Sequence, residues 1–154
     1  MINWLSIFWI YLLSLFSHPF SADIVKITAP KTKIYPGKSA EIHIKIEVKE
    51  GYHIQAHTVT DEFLIPTTLE INGNENLIVG KQTFPKAKKF KLEGTKEDLN
   101  VYDGSFEINI VFETQKTIQK GKYAMNAKLH YQACDSKSCL FPKVIDFIIP
   151  IEIV

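Results

Sequence analysis

The chain has 154 residues, and its 18 Lys and Arg against 17 Asp and Glu give a formal net charge of +1 at pH 7. A charge this small does not indicate nucleic acid or an acidic surface as a partner. The sequence also contains no phosphate-binding loop and no set of nucleophile, base and orienting group, which excludes the common hydrolytic chemistries as an interpretation.

The first 22 residues are predicted to be an export signal. Residues 4–16 are apolar except for two serines, and the composition turns polar at Asp23. A run of about 13 apolar residues is shorter than the roughly 20 needed to span a bilayer, which favours a signal peptide removed before Asp23. No Lys or Arg precedes the run, and Phe20 is large for a cleavage region, so an uncleaved membrane anchor stays an alternative.

Four segments of residues 23–154 alternate apolar and polar side chains with a period of two, as half-buried β-strands do. The apolar positions are Ile42, Ile44, Ile46 and Val48 in the first segment, Phe106, Ile108, Ile110 and Phe112 in the second, and Tyr123, Met125, Ala127, Leu129 and Tyr131 in the third. The fourth segment runs from Val144 to Val154, with Pro150 interrupting it. The third and fourth segments flank the two cysteines of the chain.

Turn-forming residues separate the strand segments. They are Pro36-Gly37, Glu50-Gly51, Asn72-Gly73, Gly94, Asp103-Gly104 and Lys120-Gly121. Their spacing predicts seven to nine short strands, and no segment has the 3.6-residue period of a helix. We therefore expect one all-β domain over residues 23–154, with an immunoglobulin-like β-sandwich fold. The longest irregular segment is expected between Phe84 and Gly104.

Cys134 and Cys139 are predicted to lie at the tip of a hairpin, between a strand that ends near Gln132 and one that starts near Lys143. Facing strand ends bring Cα atoms within the distance that a disulfide needs. A bond that closes a loop of about 6 residues stabilises a fold by only roughly 2 kcal/mol, so the pair is a weak staple and a candidate redox site. A local, inert disulfide of an exported domain is the alternative.

Charged residues beside the cysteines bear on thiol reactivity. A neighbouring ammonium favours a thiolate, so Lys137 and Lys143 are candidates to activate the pair, whereas Asp135 would oppose them. The alternative for Lys137 is a solvated lysine in the turn.

Two further groups of residues have a functional and a simpler interpretation. His53 and His57 would complete a four-ligand metal site with the two cysteines, but strand spacing would hold the histidines roughly 13 Å apart, so no metal is expected. A basic cluster suited to an acidic partner, or to a solvated loop face, is formed by Lys86, Lys88, Lys89 and Lys91.

The segment from Leu129 to Cys134, with Cys139 and Pro142 after it, resembles the cysteine motif of the amino-terminal periplasmic domain of the DsbD thiol:disulfide interchange proteins. Other segments resemble the same domain, namely Glu50-Gly51-Tyr52-His53-Ile54, Ile65-Pro66-Thr67 and Val101-Tyr102-Asp103-Gly104. Together they extend the resemblance over most of residues 24–154. The resemblance implies an immunoglobulin-like fold and a periplasmic location.

The resemblance also implies a mechanism. Domains of this family take electrons from a thioredoxin-like domain and pass them to periplasmic disulfide isomerases or cytochrome-maturation proteins. Cys134 and Cys139 would be the catalytic pair, alternating between dithiol and disulfide, with Cys139 as the sulfur that a partner attacks. The domain would then be a monomeric component of a protein-disulfide reductase, without a small-molecule cofactor.

The family shields its disulfide with a loop that carries an aromatic residue. The corresponding stretch is expected between Phe90 and Tyr102, with Phe90, Leu92 or Tyr102 as the cover. The chain departs from the family pattern because four residues separate its cysteines where some members have five, and because Leu140-Phe141 stand where an aromatic residue and prolines often follow directly. These departures are expected to alter the reduction potential or the choice of partner.

The sequence contains neither the membrane segments nor the thioredoxin-like domain of full-length DsbD. If the chain is complete, thioredoxin-like redox proteins and a separate membrane electron transporter would be its partners. The alternative function is that of a non-catalytic, exported binding or assembly module of immunoglobulin type, in which the disulfide is structural.

Overall fold

A computed structural model describes residues 23–154, so the predicted export signal lies outside the described residues. Twelve β-strands and no helix are present in this part of the chain. The strands are β1 (Val25–Thr28), β2 (Thr32–Ile34), β3 (Ser39–Val48), β4 (His53–Gln55), β5 (Thr68–Ile71), β6 (Leu77–Thr83), β7 (Lys88–Lys91), β8 (Asp98–Tyr102), β9 (Ser105–Thr114), β10 (Gly121–Tyr131), β11 (Ala133–Cys134) and β12 (Lys143–Ile153). Residues 23–154 accordingly include no helical segment with the length and hydrophobicity to cross a membrane.

The strands form three four-stranded sheets that make up a sandwich. The first sheet has the strand order β1-β3-β9-β6, the second β2-β12-β10-β5 and the third β11-β4-β8-β7. Neighbouring strands are antiparallel except β2, which runs parallel to β12. The expected all-β, immunoglobulin-like sandwich is confirmed.

The core is built from alternate side chains of the long strands. On β3, Ile42 and Ile44 are buried and face Ile110 and Ile108 of β9 across the ladder, while the intervening β3 side chains are exposed. The second sheet contributes Leu69, Met125, Ala127, Leu129, Ile149, Ile151 and Ile153 to the same core. Full burial of a large aliphatic side chain stabilises the fold by about 1.5–3 kcal/mol. Successive side chains of a strand point to opposite faces, so burial of one face gives the apolar residues a period of two.

Two details of the strand map differ from the sequence prediction. Twelve strands exceed the predicted seven to nine because several, such as β2, β4 and β11, have only two or three residues, too few to show a period. The segment from Phe84 to Gly104, predicted to be irregular, contains the antiparallel pair β7 and β8. Strand β7 lies at a sheet edge and has exposed lysines, of which Lys88 pairs with Asp103. Lysines protect an edge strand from pairing with other chains, but they also conceal its strand pattern.

The last strand continues through Pro150, contrary to the predicted interruption. Val154 N–H donates to Ile34 O on β2. Every second residue of a strand points its N–H group to the same side, so the position at which Pro150 lacks an N–H group also faces β2. Pairing with β2 starts only at Ile151. Pro150 is tolerated because its missing donor lies just beyond the end of that ladder.

Candidate functional site

The two cysteines lie at the tip of the β10–β12 hairpin, as the sequence predicts. Pairing of these strands ends at Tyr131 and Lys143, and the chain between them forms a narrower hairpin that begins with β11. Cys134 and Cys139 face each other there in an antiparallel bridge. Their sulfurs form a disulfide, with the two Cα atoms 3.9 Å apart.

A tight turn closes the hairpin beyond the sulfurs. Asp135 Oδ1 accepts the backbone N–H groups of Lys137 and Ser138, each at 2.8 Å. These hydrogen bonds lower the pKa of the Asp135 carboxyl. Lys137 and Lys143 are both exposed, and Lys137 lies in the turn. This position agrees with the alternative interpretation of Lys137 as a solvated lysine.

The two cysteines differ in their access to solvent. Cys134 is 0% exposed, whereas Cys139 is partly exposed. Strand β11 pairs on one edge with β4, where Cys134 lies opposite His53, and on its other edge with the returning chain at Cys139. Cys134 is therefore covered on both sides, and Cys139 is the member of the pair that another protein can reach.

Two grooves of about 440 Å³ each meet at Cys139. One groove is lined by Gln132, Leu140, Phe141, Pro142 and Lys143 of the hairpin. The other includes the apolar residues Phe63, Leu64, Leu92 and Leu99 and the charged residues Asp61, Lys96 and Glu97. Phe63 and Phe141 are 82% and 92% exposed, and large exposed aromatic side chains of this kind are typical of interaction surfaces.

Of the three side chains predicted to shield the disulfide, Leu92 is the one that lines a groove with Cys139. Phe90 packs instead on His53, with ring centroids 3.8 Å apart. Tyr102 is buried at the end of β8. The two aromatic candidates therefore pack within the domain, and the candidate that lines the groove with Cys139 is aliphatic.

A second loop lines the same groove, and the sequence analysis did not identify it. Ile65 N–H donates to Gln132 Oε1 at 3.0 Å, and Gln132 Nε2 donates to Leu140 O at 3.1 Å, so one side chain ties this loop to the cysteine hairpin. These hydrogen bonds fix the loop so that Phe63 lines the same groove as Cys139. The loop has no period or motif, and its one signal in the sequence was its position next to the Ile65-Pro66-Thr67 segment.

Gln55 contacts the disulfide with its polar side chain, and the sequence analysis did not identify it either. It is fully buried at the end of β4, with its Nε2 3.2 Å from Cys134 Sγ and 3.7 Å from Cys139 Sγ. Its Oε1 is buried, and no group in the described part of the chain forms a hydrogen bond with it. The backbone is fixed on both sides, because Gln55 N–H donates to Gln132 O and Gln55 O accepts the Thr67 hydroxyl. Only the register between β4 and β11 could have indicated this residue.

The other segments of the family resemblance surround Gln55. The glycine-aromatic segment leads into β4, Thr67 contacts the Gln55 backbone, and Tyr102 ends β8, which pairs with β4. The Tyr102 hydroxyl donates to Pro85 O and accepts His57 N–H, each at 3.2 Å. Burial raises the pKa of Tyr102, so the hydroxyl keeps its proton and its donor role. These segments form the scaffold of the disulfide site.

The two histidines make separate contacts. His57 stacks on Phe84 with ring centroids 4.0 Å apart, and its Nδ1 lies 3.0 Å from Thr67 O. His53 packs on Phe90, as described above. Within residues 23–154, no group of three or more His, Cys, Asp or Glu side chains is arranged to hold a metal ion.

Comparison with known proteins identifies the family. The model of the family described as thiol:disulfide interchange protein DsbD, N-terminal, matches residues 24–148. The chain belongs to this family. A comparison with curated proteins gave no match.

Two solved structures have detectable similarity to this chain. The N-terminal periplasmic domain of ScsB from Proteus mirabilis is similar, with a TM-score of 0.53 and 15% identity, and the match covers 83% of this chain and 45% of that one. This chain therefore spans less than half of that relative. A type I cohesin–dockerin complex from Clostridium thermocellum has a TM-score of 0.47 and 16% identity, covering 86% of this chain and 100% of that chain.

Membership of the DsbD N-terminal family makes this a thiol-disulfide interchange domain with a cysteine pair. The family is one of periplasmic domains that interact with thioredoxin-like redox proteins. Leu140 and Phe141, which are predicted to depart from the family pattern, line the groove at Cys139. The predicted departure therefore lies on the accessible side of the disulfide.

Proposed function

We propose that the domain relays electrons, two at a time, through reversible opening of the Cys134–Cys139 disulfide. The observation that carries the proposal is unequal exposure: Cys134 is fully buried, and Cys139 lies where two open grooves meet. A structural bridge needs no groove at one sulfur, whereas attack by a partner thiolate requires access to it. Cys139 is the proposed point of attack and Cys134 the proposed resolving cysteine.

The exchange proceeds through a mixed disulfide. A thiolate of the reduced donor attacks Cys139 Sγ, a sulfur–sulfur bond forms between donor and domain, and the bond to Cys134 breaks. Cys134 Sγ takes the electron pair and leaves as a thiolate, which then binds a proton. A second donor thiolate attacks the donor sulfur of the mixed disulfide and releases Cys139 as a thiolate. The donor is oxidised to a disulfide, and the domain is reduced to a dithiol.

The reduced domain then passes on the electrons by the reverse chemistry. The Cys139 thiolate attacks a disulfide of the acceptor, and Cys134 resolves the new mixed disulfide, so the domain is reoxidised as the acceptor is reduced. The proposed donor is a thioredoxin-like protein, itself fed by a separate membrane electron transporter. The proposed acceptors are periplasmic disulfide or cytochrome-maturation proteins. The domain acts as a monomeric component of a protein-disulfide reductase, and no small-molecule cofactor is required because electrons move only between sulfurs.

Replacement of each cysteine in turn tests the relay. Cys134→Ser leaves the accessible thiol of Cys139, which can attack a partner disulfide but has no resolving cysteine, so a mixed disulfide with a periplasmic thioredoxin-like protein should accumulate on non-reducing gels. Cys139→Ser leaves only the buried thiol of Cys134 and is the matched control, which should trap far less partner. The relay is refuted if neither variant traps a partner and a reduced thioredoxin-like protein fails to reduce the wild-type bridge.

We further propose that residues 1–22 are an export signal and that residues 23–154 are the working domain. Ile24 and Val25 are already buried in the core, which supports a folded body that begins directly after the proposed cleavage point. Mass spectrometry of the periplasmic fraction should find a chain that starts at or near Asp23. A full-length chain in the membrane fraction would instead establish the uncleaved anchor.

A further inference from the structure

The side chain of Gln55 is fully buried, with its amide nitrogen at the disulfide and its amide oxygen unpaired within residues 23–154. Its Nε2 is closer to Cys134 Sγ, at 3.2 Å, than to Cys139 Sγ, at 3.7 Å. Its Oε1 is buried and has no hydrogen-bond partner among residues 23–154. Sulfur is a weak acceptor, so the amide gains little from this contact while the disulfide is intact, and an unpaired buried acceptor is unfavourable. If Gln55 served stability alone, both its amide nitrogen and its amide oxygen would be expected to form good hydrogen bonds.

We propose that Gln55 is a positioning residue that donates its Nε2–H to the Cys134 thiolate released when a partner attacks Cys139. The inference rests on the proposed relay and deepens it. When the sulfur–sulfur bond breaks, its electron pair goes to Cys134 Sγ, in the residue that solvent does not reach. Burial disfavours a thiolate, so a donor already aimed at this sulfur stabilises the charge as it develops, without reorganisation.

The fold holds Gln55 in place for this role. Gln55 N–H donates to Gln132 O at 2.9 Å, and the Thr67 hydroxyl donates to Gln55 O. On the other edge of β4, Gln55 pairs with Val101 of β8. Contacts with Gln132, Thr67 and Val101 fix the Gln55 backbone, and this limits how far the amide can move from the sulfur.

Charged groups around the disulfide do not replace the amide. They are His53 opposite Cys134 on β4, Asp135 and Lys137 in the turn, and Lys143, Asp61, Lys96 and Glu97 along the two grooves beside Cys139. The Asp135 carboxylate is held by backbone N–H groups of the turn, and its negative charge opposes a thiolate. Within residues 23–154, both hydrogen bonds that reach a sulfur start at Gln55 Nε2.

The test measures the Cys134 thiol alone, in the full chain carrying Cys139→Ser. Adding Gln55→Met removes the amide but nearly keeps the shape of the side chain. Since hydrogen bonds to charged groups are the stronger ones, the acid dissociation constant of Cys134 should fall about 10- to 100-fold, a rise in pKa of about 1–2 units, read from thiolate ultraviolet absorbance against pH. Gln132→Met is the matched control, because the Gln132 amide binds Leu140 O and Ile65 N–H rather than a sulfur.

The rate of exchange gives a second measurement. In the chain with both cysteines, Gln55→Met should slow reduction by a small dithiol roughly 3- to 10-fold, for a Brønsted coefficient of about 0.5. The oxidised Gln55→Met domain should be as stable as the wild type or more so, because the unpaired Oε1 is gone. If Gln55→Met does not fold, Gln55→Asn keeps an amide but withdraws the donor by one methylene, and the same rise in pKa is expected.

An unchanged or lower Cys134 pKa in a folded Gln55 variant would overturn the inference, as would a loss of stability with no change in pKa. Failure of the relay is a separate result, because the pKa measurement needs no partner. If Gln55→Met leaves the pKa unchanged while Cys134→Ser still traps a thioredoxin-like protein, the relay stands and the role of Gln55 is rejected. If the pKa rises but no partner is trapped or reduces the bridge, the amide contact stands and the relay is rejected.

Discussion

Reduction of the Cys134–Cys139 bond should leave the domain folded, with a modest loss of stability. The cysteines are 5 apart in sequence, so the bond closes a loop of about 6 residues and stabilises the fold by roughly 2 kcal/mol in the chain-entropy model. The core does not depend on this bond, since residues such as Ile44, Ile108 and Phe112 are fully buried in the first sheet, away from the cysteine hairpin. For a domain of about 130 residues, 2 kcal/mol lowers the melting temperature by roughly 6–10 °C.

The same free energy bears on the reduction potential. Folding and reduction form a thermodynamic cycle, so a bond that stabilises the fold by roughly 2 kcal/mol is about 45 mV harder to reduce in the folded domain than in the unfolded chain. A shift of this size leaves the bond reducible by a thioredoxin-like donor, for which potentials near about −270 mV are typical. A large stabilisation by the bond would be incompatible with the proposed relay.

Thermal unfolding followed by circular dichroism, with and without a thiol reductant, measures the stability term, and equilibration with glutathione or a thioredoxin-like protein measures the potential. The double variant Cys134→Ser with Cys139→Ser is the control for direct effects of the reductant, and it should melt close to the reduced wild type. Loss of the fold on reduction, a stability loss above about 4 kcal/mol, or a potential below about −300 mV would refute the reasoning. Those results would favour the binding or assembly module with a structural disulfide.

Three further variants test the surroundings of the disulfide. Thr67→Val removes the buried hydroxyl that donates to Gln55 O, so the free energy of unfolding in urea should fall by about 1–3 kcal/mol, and a value that matches Thr67→Ser would contradict this role. Leu92→Ala should open the groove beside Cys139 and speed reduction of the disulfide by glutathione, whereas an unchanged rate would exclude Leu92 as a cover. Asp135→Ala should lower the melting temperature at neutral pH, because backbone N–H groups lower the pKa of this carboxyl. The stabilisation is present above about pH 4 and is lost as pH falls through the lowered pKa, so a difference from the wild type that persists in strong acid would contradict the assignment, with Asp135→Asn as the control that keeps the acceptor.

The sequence allowed good prediction of those features that depend on neighbouring residues in the chain. The alternation at Ile42, Ile44 and Ile46 predicted a half-buried strand because burial of one face imposes that period. The hairpin around the cysteines was predictable because its two strands are consecutive long segments. Strand β7 was missed because its exposed edge position leaves it rich in lysine, and a lysine-rich segment looks like a loop.

The surroundings of the disulfide were less predictable, because they depend on which segments the sheets bring together. Gln55 lies 79 residues from Cys134 in sequence, and its contact with the sulfur exists only because β4 pairs with β11. Phe63 reaches the groove through a hydrogen bond between its loop and Gln132. Neither residue belongs to a periodic pattern, so only the family resemblance, through its neighbouring segments, pointed to that region.

The unequal exposure of the two cysteines is a consequence of sheet topology rather than of the residues between them. Both lie in the same narrow hairpin, but of its two arms the one that carries Cys134 is the one that pairs with β4, so that cysteine has a neighbour on each side. The returning chain at Cys139 has β11 on one side and the two grooves beside it. Because the turn at Asp135 and the pairing with β4 lie in different parts of the hairpin, a change in the number of intervening residues should alter the turn and leave the pairing in place. The family difference between four and five intervening residues should therefore affect the rate and potential of exchange, and not which of the two sulfurs a partner attacks.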